Sequence, residues 1–502
     1  MPVVRALATA MLLLTLAGCA SSDDTASNPR RSYAVLVVFD EFPGDTLLAP
    51  NGRIDAGRFP NFAALAGGST WFRNAATAYD STTKAVPLIV DGIRPQKGTS
   101  PIVRDHPNSI FTALGSRGYR IVTAEEATAL CPRRYCPAER TRRPMIIPNL
   151  KGGRAERFGR LVSSIRPSPR PTFWMTHALL PHGPWVYMPS GHRSRPEGPE
   201  LLPGMQTVPG FYDDYLTRHN EQRYLLQLGF VDRLLGTLVA RLKSQGMYDD
   251  TLIVVTADHG FAWQVGVPTR RTISLSNVDE LAPVPLFVKK PRQKRGRVSD
   301  VLARTLDVAP TIADALGVRL GYRTDGRSAF SRAVRARHEV SLTNRDFSSV
   351  VRISPARWKA RRRALVRRRL RHLGSGDWAS LYTSLGPNRD LIGRGVAPAR
   401  SAEGARATIS LSRSFAGVRR SSGIVPCQIA GRIHGSGAAR ERDLAIAVNG
   451  RIEAVGRSFH LKGERAESYS VMVPEDALRE GRNTVEVLEV TDEGAMLLLA
   501  RS

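Results

Sequence analysis

The chain has 502 residues, of which 42% are hydrophobic and 24% charged, and its formal net charge is +28. That length suits two or three domains and a large buried core, and the apolar fraction excludes a disordered chain. So basic a chain invites an anionic partner.

The first residues, MPVVRALATAMLLLTLAGC, place Arg5 ahead of a short apolar run. The run is too short to span a bilayer and has the form of a secretion signal. Its end, Leu16-Ala17-Gly18-Cys19, resembles a bacterial lipobox. That resemblance implies removal of residues 1–18, lipidation of Cys19, and a lipid-anchored protein of a bacterial cell envelope, facing the periplasm or the cell surface. An ordinary cleaved signal is the alternative. Residues 19–32 are small and polar and read as a tether. An exported chain rarely meets nucleic acid, so no nucleic-acid partner is expected, and anionic lipid or glycan surfaces remain.

SYAVLVVFDEF, residues 32–42, is a continuous apolar run that ends in acids. This pattern predicts a parallel strand buried on both faces, with functional groups at its C-terminal edge. RFPNFAALAGGS reads as a short helix and STWFRNAAT as a strand. Cys131 and Cys136, in CPRRYC, are close enough for a disulfide in an oxidising compartment. Residues 224–246 have helical spacing and a terminal Gly. They lead into the strand TLIVVTA, which ends in Asp258, His259 and Gly260. A carboxylate and an imidazole at the end of a buried strand are costly to desolvate without a partner such as a metal ion. The alternative is a helix-capping aspartate beside a surface histidine. APVPLFVKK is a further strand and TLDVAPTIADALGV a further helix. Strands alternating with helices predict an α/β domain with a mainly parallel sheet over residues 33–398.

Near the end of that domain, ARWKARRRALVRRRLRHLG, residues 356–374, is a strongly basic helix with apolar points at Trp358, Leu365 and Leu373. A solvated helix packed through those three is one reading and a lipid-contacting helix the other. ATISLSRSFAGV, LAIAVNGRIEAVGRSFHL, SYSVMVPEDAL and NTVEVLEV are short alternating strands with Asn-Gly and Gly turns. They predict a small β-sandwich over residues 399–502, with Cys427 as a buried free thiol.

Four separated segments carry a resemblance to the alkaline-phosphatase-like superfamily, in its sulfatase-like hydrolase and transferase branch. VLVVFDEF resembles the first metal strand, TTKAVPLIVDGIRP the nucleophile segment, HALLPHGPW the His-rich substrate loop and TADHG the last metal motif. The fold this implies is an alkaline-phosphatase-like, mainly parallel sheet sandwiched by helices, followed by the β-sandwich. Asp40 should be a metal ligand, with Glu41 a second ligand or a group behind it, and Asp258 and His259 should complete the set. Thr82 should be the nucleophile and a further ligand. Family segments place the nucleophile five residues before a Pro and ten before a Gly, here Pro87 and Gly92, which selects Thr82 over Thr83. Pro87 suits the opening turn of a helix. Thr82 then lies just ahead of a helix N-terminus, where backbone N–H groups attract an anion.

The cofactor implied is a divalent metal ion, with Zn or Mn favoured by the imidazole and Ca or Mg also open. His177 and His182 would hold the substrate's oxyanion or protonate a leaving group, a structural histidine being the other reading for His177. Members that form a formylglycine carry Cys or Ser, then Pro and Arg, where this chain has TTKAV. Thr82 therefore points to phosphoethanolamine or phosphoglycerol transferases and phosphodiesterases. Those transferases place another His after the Asp-His-Gly, where this chain has VGVPTRRTISLS, leaving one or two metals open. Arg270, Arg271 and Lys84 are candidate phosphate- or sulfate-binding groups; surface charge is the alternative for the arginines. The function implied is metal-dependent hydrolysis or transfer of phosphate or sulfate esters of an envelope lipid or glycan. A catalytically silent envelope lipoprotein that binds glycan or lipid head groups is the rival. If Cys19 carries a lipid anchor, Cys19→Ser should move the protein from the membrane fraction to the soluble one on cell fractionation; unchanged partition counts against the anchor.

Overall fold

The computed structural model describes residues 33–137, 144, 146–198, 211–266, 271–396, 399–435, 440–461 and 463–502. The signal, Cys19, the tether and Arg270 lie outside the described residues. Seven strands form the principal sheet: β1 (Tyr33–Asp40), β2 (Thr70–Phe72), β3 (Arg120–Glu125), β4 (Thr172–Pro181), β5 (Thr251–Ala257), β6 (Leu286–Lys289) and β7 (Arg297–Ser299). Their order is β3-β4-β1-β5-β6-β2-β7. β3, β4, β1 and β5 run parallel. β6 reverses against β5 and β2. Every residue of β1, β4 and β5 is buried, as central strands covered by helices on both faces must be. The helices Arg154–Ser163 and Asp214–Ser244 pack on β4, and Val308–Leu316 packs on β5 and on the helix Thr82–Asp91.

The helix expected over residues 224–246 begins ten residues earlier, at Asp214. Asp213 caps it by accepting a hydrogen bond from the Leu216 N–H at 2.7 Å. Its first turns bury polar residues, and His219 Nε2 meets Ser470 Oγ at 2.9 Å. That polar burial hides the helical period that the apolar residues show from Tyr224 onward. The segment 131–136 is closed by a Cys131–Cys136 disulfide with a Cα–Cα distance of 6.1 Å.

The C-terminal residues form two packed sheets. One runs in the order Arg400–Ser401, Met496–Arg501, Val485–Val490, Asp443–Val448 and Arg451–Arg457, and the other in the order Ala405–Ala407, Gln428–Gly435, Glu467–Met472 and Phe459–His460. Asn449 and Gly450, both at positive φ, make the tight hairpin between two of these strands, as an Asn-Gly pair favours. Leu444 and Ile446 face Ile429 and Val471 in an apolar core that is continuous with β1. ATISLSRSFAGV is not one strand. Only its first residue, Ala407, belongs to a strand, Ala405–Ala407; Thr408 and Ser410 continue the backbone bonding to Arg432 and Ala430, and Leu411 at φ +57° then turns the chain into a short 3-10 helix, Ser412–Gly417. Cys427 is buried and free. Among the described residues no helix is long and apolar enough to cross a membrane.

The basic helix spans Pro355–Leu373 and buries Trp358, Arg362, Val366 and Leu373, while Leu365 stays half-exposed. Arg362 forks onto Asp45 at 2.7 and 2.6 Å and reaches Asn74 at 3.2 Å. Removing the guanidinium leaves the Asp45 carboxylate buried and unpaired, so Arg362→Ala should lower the unfolding free energy by about 3–5 kcal/mol. Urea titration measures this, and an unchanged midpoint would show that the fork does not anchor the helix.

Candidate active site

Parallel pairing places the site. Val38 of β1 stands opposite His177 of β4 and Thr256 of β5. Strand side chains alternate faces, so Asp40 and Asp258, two residues further along, lie on the same face as His177 at the strands' C-terminal ends. Single ligand atoms of Asp40, His177 and Asp258 all lie within 4.8 Å of one another, and all three residues are buried. His177 is thus inside a strand and not in a loop. The substrate-loop segment HALLPHGPW divides, with His177–Pro181 finishing β4 and His182 opening the loop beyond it.

Thr82 enters from the other side. It is the first residue of the helix Thr82–Asp91, and its Oγ1 lies 3.4 Å from His259 Nε2. Pro87 does not sit in the opening turn as expected but in mid-helix. The bond its missing N–H would make is to Thr83, in the first turn, so the helix loses one bond and continues. The N-cap residue, Ser81, has a buried hydroxyl without a hydrogen-bond partner.

Backbone contacts aim the side chains. The His259 ring nitrogen Nδ1 lies 2.9 Å from the Gly260 carbonyl, which assigns the proton to Nδ1 and leaves the Nε2 lone pair facing Thr82. A Cβ on Gly260 would fall 2.1 Å from the Glu280 carbonyl oxygen, so glycine is required after His259. Asp258 Oδ1 accepts from the Glu41 and His259 N–H groups at 3.2 and 2.6 Å. Glu41 has φ +58°, a left-handed turn uncommon for a non-glycine residue. Its carboxylate turns to Arg271 Nε at 2.5 Å and to His182 Nε2 at 3.6 Å. Arg271 Nη2 also donates to His182 Nε2, while His182 Nδ1 donates to the Gly183 carbonyl at 2.6 Å.

Two residues that sequence reasoning did not single out hold this loop. Arg154, fully buried, donates to the carbonyls of His182 and Pro184 at 2.6 and 2.8 Å. Gln227 donates to those of Pro181 and His182 at 2.9 and 3.0 Å. A glutamine inside the apolar stripe of a long helix was the one signal available. Of the expected site residues, the structure gathers Asp40, Glu41, Thr82, His177, His182, Asp258, His259 and Arg271. Lys84 turns elsewhere, donating to the Thr99 carbonyl at 2.6 Å and lying over the Phe347 ring.

Burial pushes the Asp40 and Asp258 carboxyls well above the usual carboxylate range, and the charge of Asp258 raises Asp40 further. Burial, with His259 and His182 nearby, pushes the His177 imidazole down to about 3. Asp40 Oδ1 and both ring nitrogens of His177 are buried without a hydrogen-bond partner, and the Asp258 carboxylate is flanked by the Thr82 hydroxyl and by His259 Nε2, which is 3.5 Å from its Oδ2. Buried polar atoms in native proteins are almost always satisfied. Two carboxylates and a neutral imidazole with free lone pairs converging on one point fit a divalent cation.

The pattern that defines the sulfatase family matches residues 32–318, more than half of the chain, and the chain belongs to that family. It is 35% identical over 100 residues to the multifunctional alkaline phosphatase superfamily protein PehA of Trinickia caryophylli, a stretch covering 20% of this chain and 19% of that protein. It is 24% identical over 305 residues to human N-sulphoglucosamine sulphohydrolase, covering 53% of this chain and 59% of that one. The structure is similar to the phosphonate monoester hydrolase of Agrobacterium radiobacter, with a TM-score of 0.48, 17% identity, and coverage of 66% of this chain and 83% of that chain.

With a cation at these residues, elemental analysis of the purified protein should find close to one equivalent of a divalent metal. Asp258→Ala should lose it while the circular dichroism spectrum stays native. Full metal content in the variant would place the ion elsewhere.

Proposed function

We propose that the protein is a metal-dependent hydrolase of sulfate, phosphate or phosphonate esters with Thr82 as its nucleophile. The observation that carries this is the convergence of buried ligand atoms of Asp40, Asp258 and His177 within 4.8 Å of one another beside a threonine hydroxyl at a helix start. A divalent cation held by Asp40, Asp258 and His177 would supply the positive charge that a developing oxyanion needs. His259 Nε2 lies 3.4 Å from the Thr82 hydroxyl and 3.5 Å from Asp258 Oδ2, and we assign it the proton of that hydroxyl. As Thr82 Oγ bonds to sulfur or phosphorus, the bond to the ester oxygen breaks and the alcohol departs with a proton from solvent. Water then attacks the Thr82 ester and gives a proton to solvent, sulfate, phosphate or phosphonate is released, and Thr82 Oγ regains its proton from His259. The N–H groups of the first helical turn and the Arg271 guanidinium bind the nonbridging oxygens. Release of Arg271 from Glu41 would accompany that binding.

Water as the second acceptor gives a hydrolase, and an alcohol in its place would make the same residues a transferase. The setting we infer is the cell envelope, supported by the Leu16–Cys19 sequence and by the Cys131–Cys136 bridge, since disulfides persist in oxidising compartments. Sulfated or phosphorylated glycans and lipids are the substrate class such a setting offers.

A panel of aryl sulfates, aryl phosphate mono- and diesters and aryl phosphonates tests the reading, with and without glycerol as acceptor. Thr82→Ala should keep its metal and lose at least about 10³-fold in kcat, and Thr83→Ala should stay within a few-fold. His259→Gln should likewise retain metal and lose activity. Full activity of Thr82→Ala would remove Thr82 as the attacking group.

A further inference from the structure

The basic helix carries more charge than its packing uses. Pro355–Leu373 contains no acidic residue. Arg362 is neutralised by Asp45, Arg361 pairs with Asp279, and Arg369 donates to the Asp45 and Leu48 carbonyls. Lys359, Arg363, Arg367 and Arg371 recur every four residues, which sets them on one face of the helix along about 18 Å. All four line a cleft of about 780 Å³, whose opposite wall is the turn at Leu48, Ala49, Pro50 and Gly52. The acids in its lining are Asp45 and Asp300, and both are already engaged, with Arg362 and Arg73 respectively. Like charges four residues apart destabilise a helix, so this stripe stands against the helix's own stability, and among the described residues the acid that acts on it is Asp300, which reaches Lys359 at longer range while paired with Arg73.

We propose that this cleft binds a linear polyanion, a sulfated or phosphorylated polysaccharide chain, with its anionic groups laid along Lys359, Arg363, Arg367 and Arg371. The site is independent of the ester chemistry proposed above and would hold a chain rather than react with it. Charge and shape choose the occupant. A membrane surface is flat and wants projecting apolar anchors beside the cations. The large exposed hydrophobics among the described residues are Val265, Leu275, Val298, Val350 and Leu411, and none lines this cleft. No aromatic side chain lines it either, so it offers no stacking platform for the bases of a single-stranded nucleic acid.

The test compares the purified protein with a variant carrying Lys359→Gln, Arg363→Gln, Arg367→Gln and Arg371→Gln, in which glutamine keeps a helix-forming side chain. A control variant removes as many positive charges elsewhere, through Arg166→Gln, Arg170→Gln, Arg319→Gln and Arg323→Gln, four exposed positions. Binding of dextran sulfate is titrated at several NaCl concentrations, with neutral dextran and phosphatidylglycerol vesicles as further ligands. The stripe variant should lose at least about tenfold in dextran sulfate affinity at low salt, and its log–log salt slope should fall by about three to four, close to one per cation removed. The control variant should keep the native slope, and neutral dextran should bind to neither. Relief of like-charge repulsion means the stripe variant should melt no lower than the native protein; if it does, the double variant Arg367→Gln with Arg371→Gln should still show about half the change in slope. Equal losses in stripe and control variants would reduce the effect to bulk charge and overturn the proposal. So would vesicle binding that depends on the stripe while dextran sulfate binding does not.

Discussion

Two carboxylates, Asp40 and Asp258, end adjacent parallel strands at almost zero exposure, and that placement governs the surrounding structure. At the few ångströms that separate them, their repulsion is on the order of 3 kcal/mol even with an effective dielectric near 20. Desolvation adds more. Among the described residues the nearest cation is Arg271, which is paired with Glu41 and offsets the two carboxylates only partly, through its field. What the strands offer instead is a third neutral donor, His177, one pleat below, and the start of the Thr82 helix opposite. Such an arrangement is unfavourable as a piece of apoprotein and favourable as a cradle for a dication.

Holding that cradle explains features that are otherwise awkward. Glu41 takes a left-handed backbone, which ends β1 abruptly and sends its carboxylate away from Asp40 toward Arg271. Gly260 lets the chain after His259 pass against the Glu280 carbonyl, which fixes the imidazole with its lone pair toward Thr82. Arg154 and Gln227 bind the carbonyls of the His182 loop from two different helices. The loop is therefore tied to elements that themselves rest on β4, and rigid elements set the positions of the reacting groups.

β1 and β5 were legible because a parallel strand covered on both faces must be a continuous apolar run, and the acids that close each run stand out against it. The Asn449-Gly450 hairpin was legible for the same reason, a local rule with one backbone solution. His177 was legible as a residue but not in its place. Only the sheet order shows that β4 abuts β1 on the side away from β5, and sheet order is a property of distant segments. The start of the Asp214–Ser244 helix was hidden by buried polar residues such as His219, whose partner Ser470 lies far along the chain. Arg154 and Gln227 act on backbone carbonyls, so beyond the lone glutamine in an apolar stripe nothing in their own neighbourhoods marks them. Lys84 shows the opposite error: it lies near the nucleophile in sequence, yet a helical rotation points it at Thr99 and Phe347.

The claim that these carboxylates exist to hold a cation is tested most directly by anomalous scattering from crystals grown with Mn or Zn, with data collected on both sides of the metal's absorption edge. The account predicts one strong peak at about 2.0–2.2 Å from oxygens of Asp40 and Asp258 and a nitrogen of His177, facing Thr82 Oγ. A peak bound only elsewhere on the chain, or none at a metal concentration that saturates other sulfatase-family sites, would contradict it.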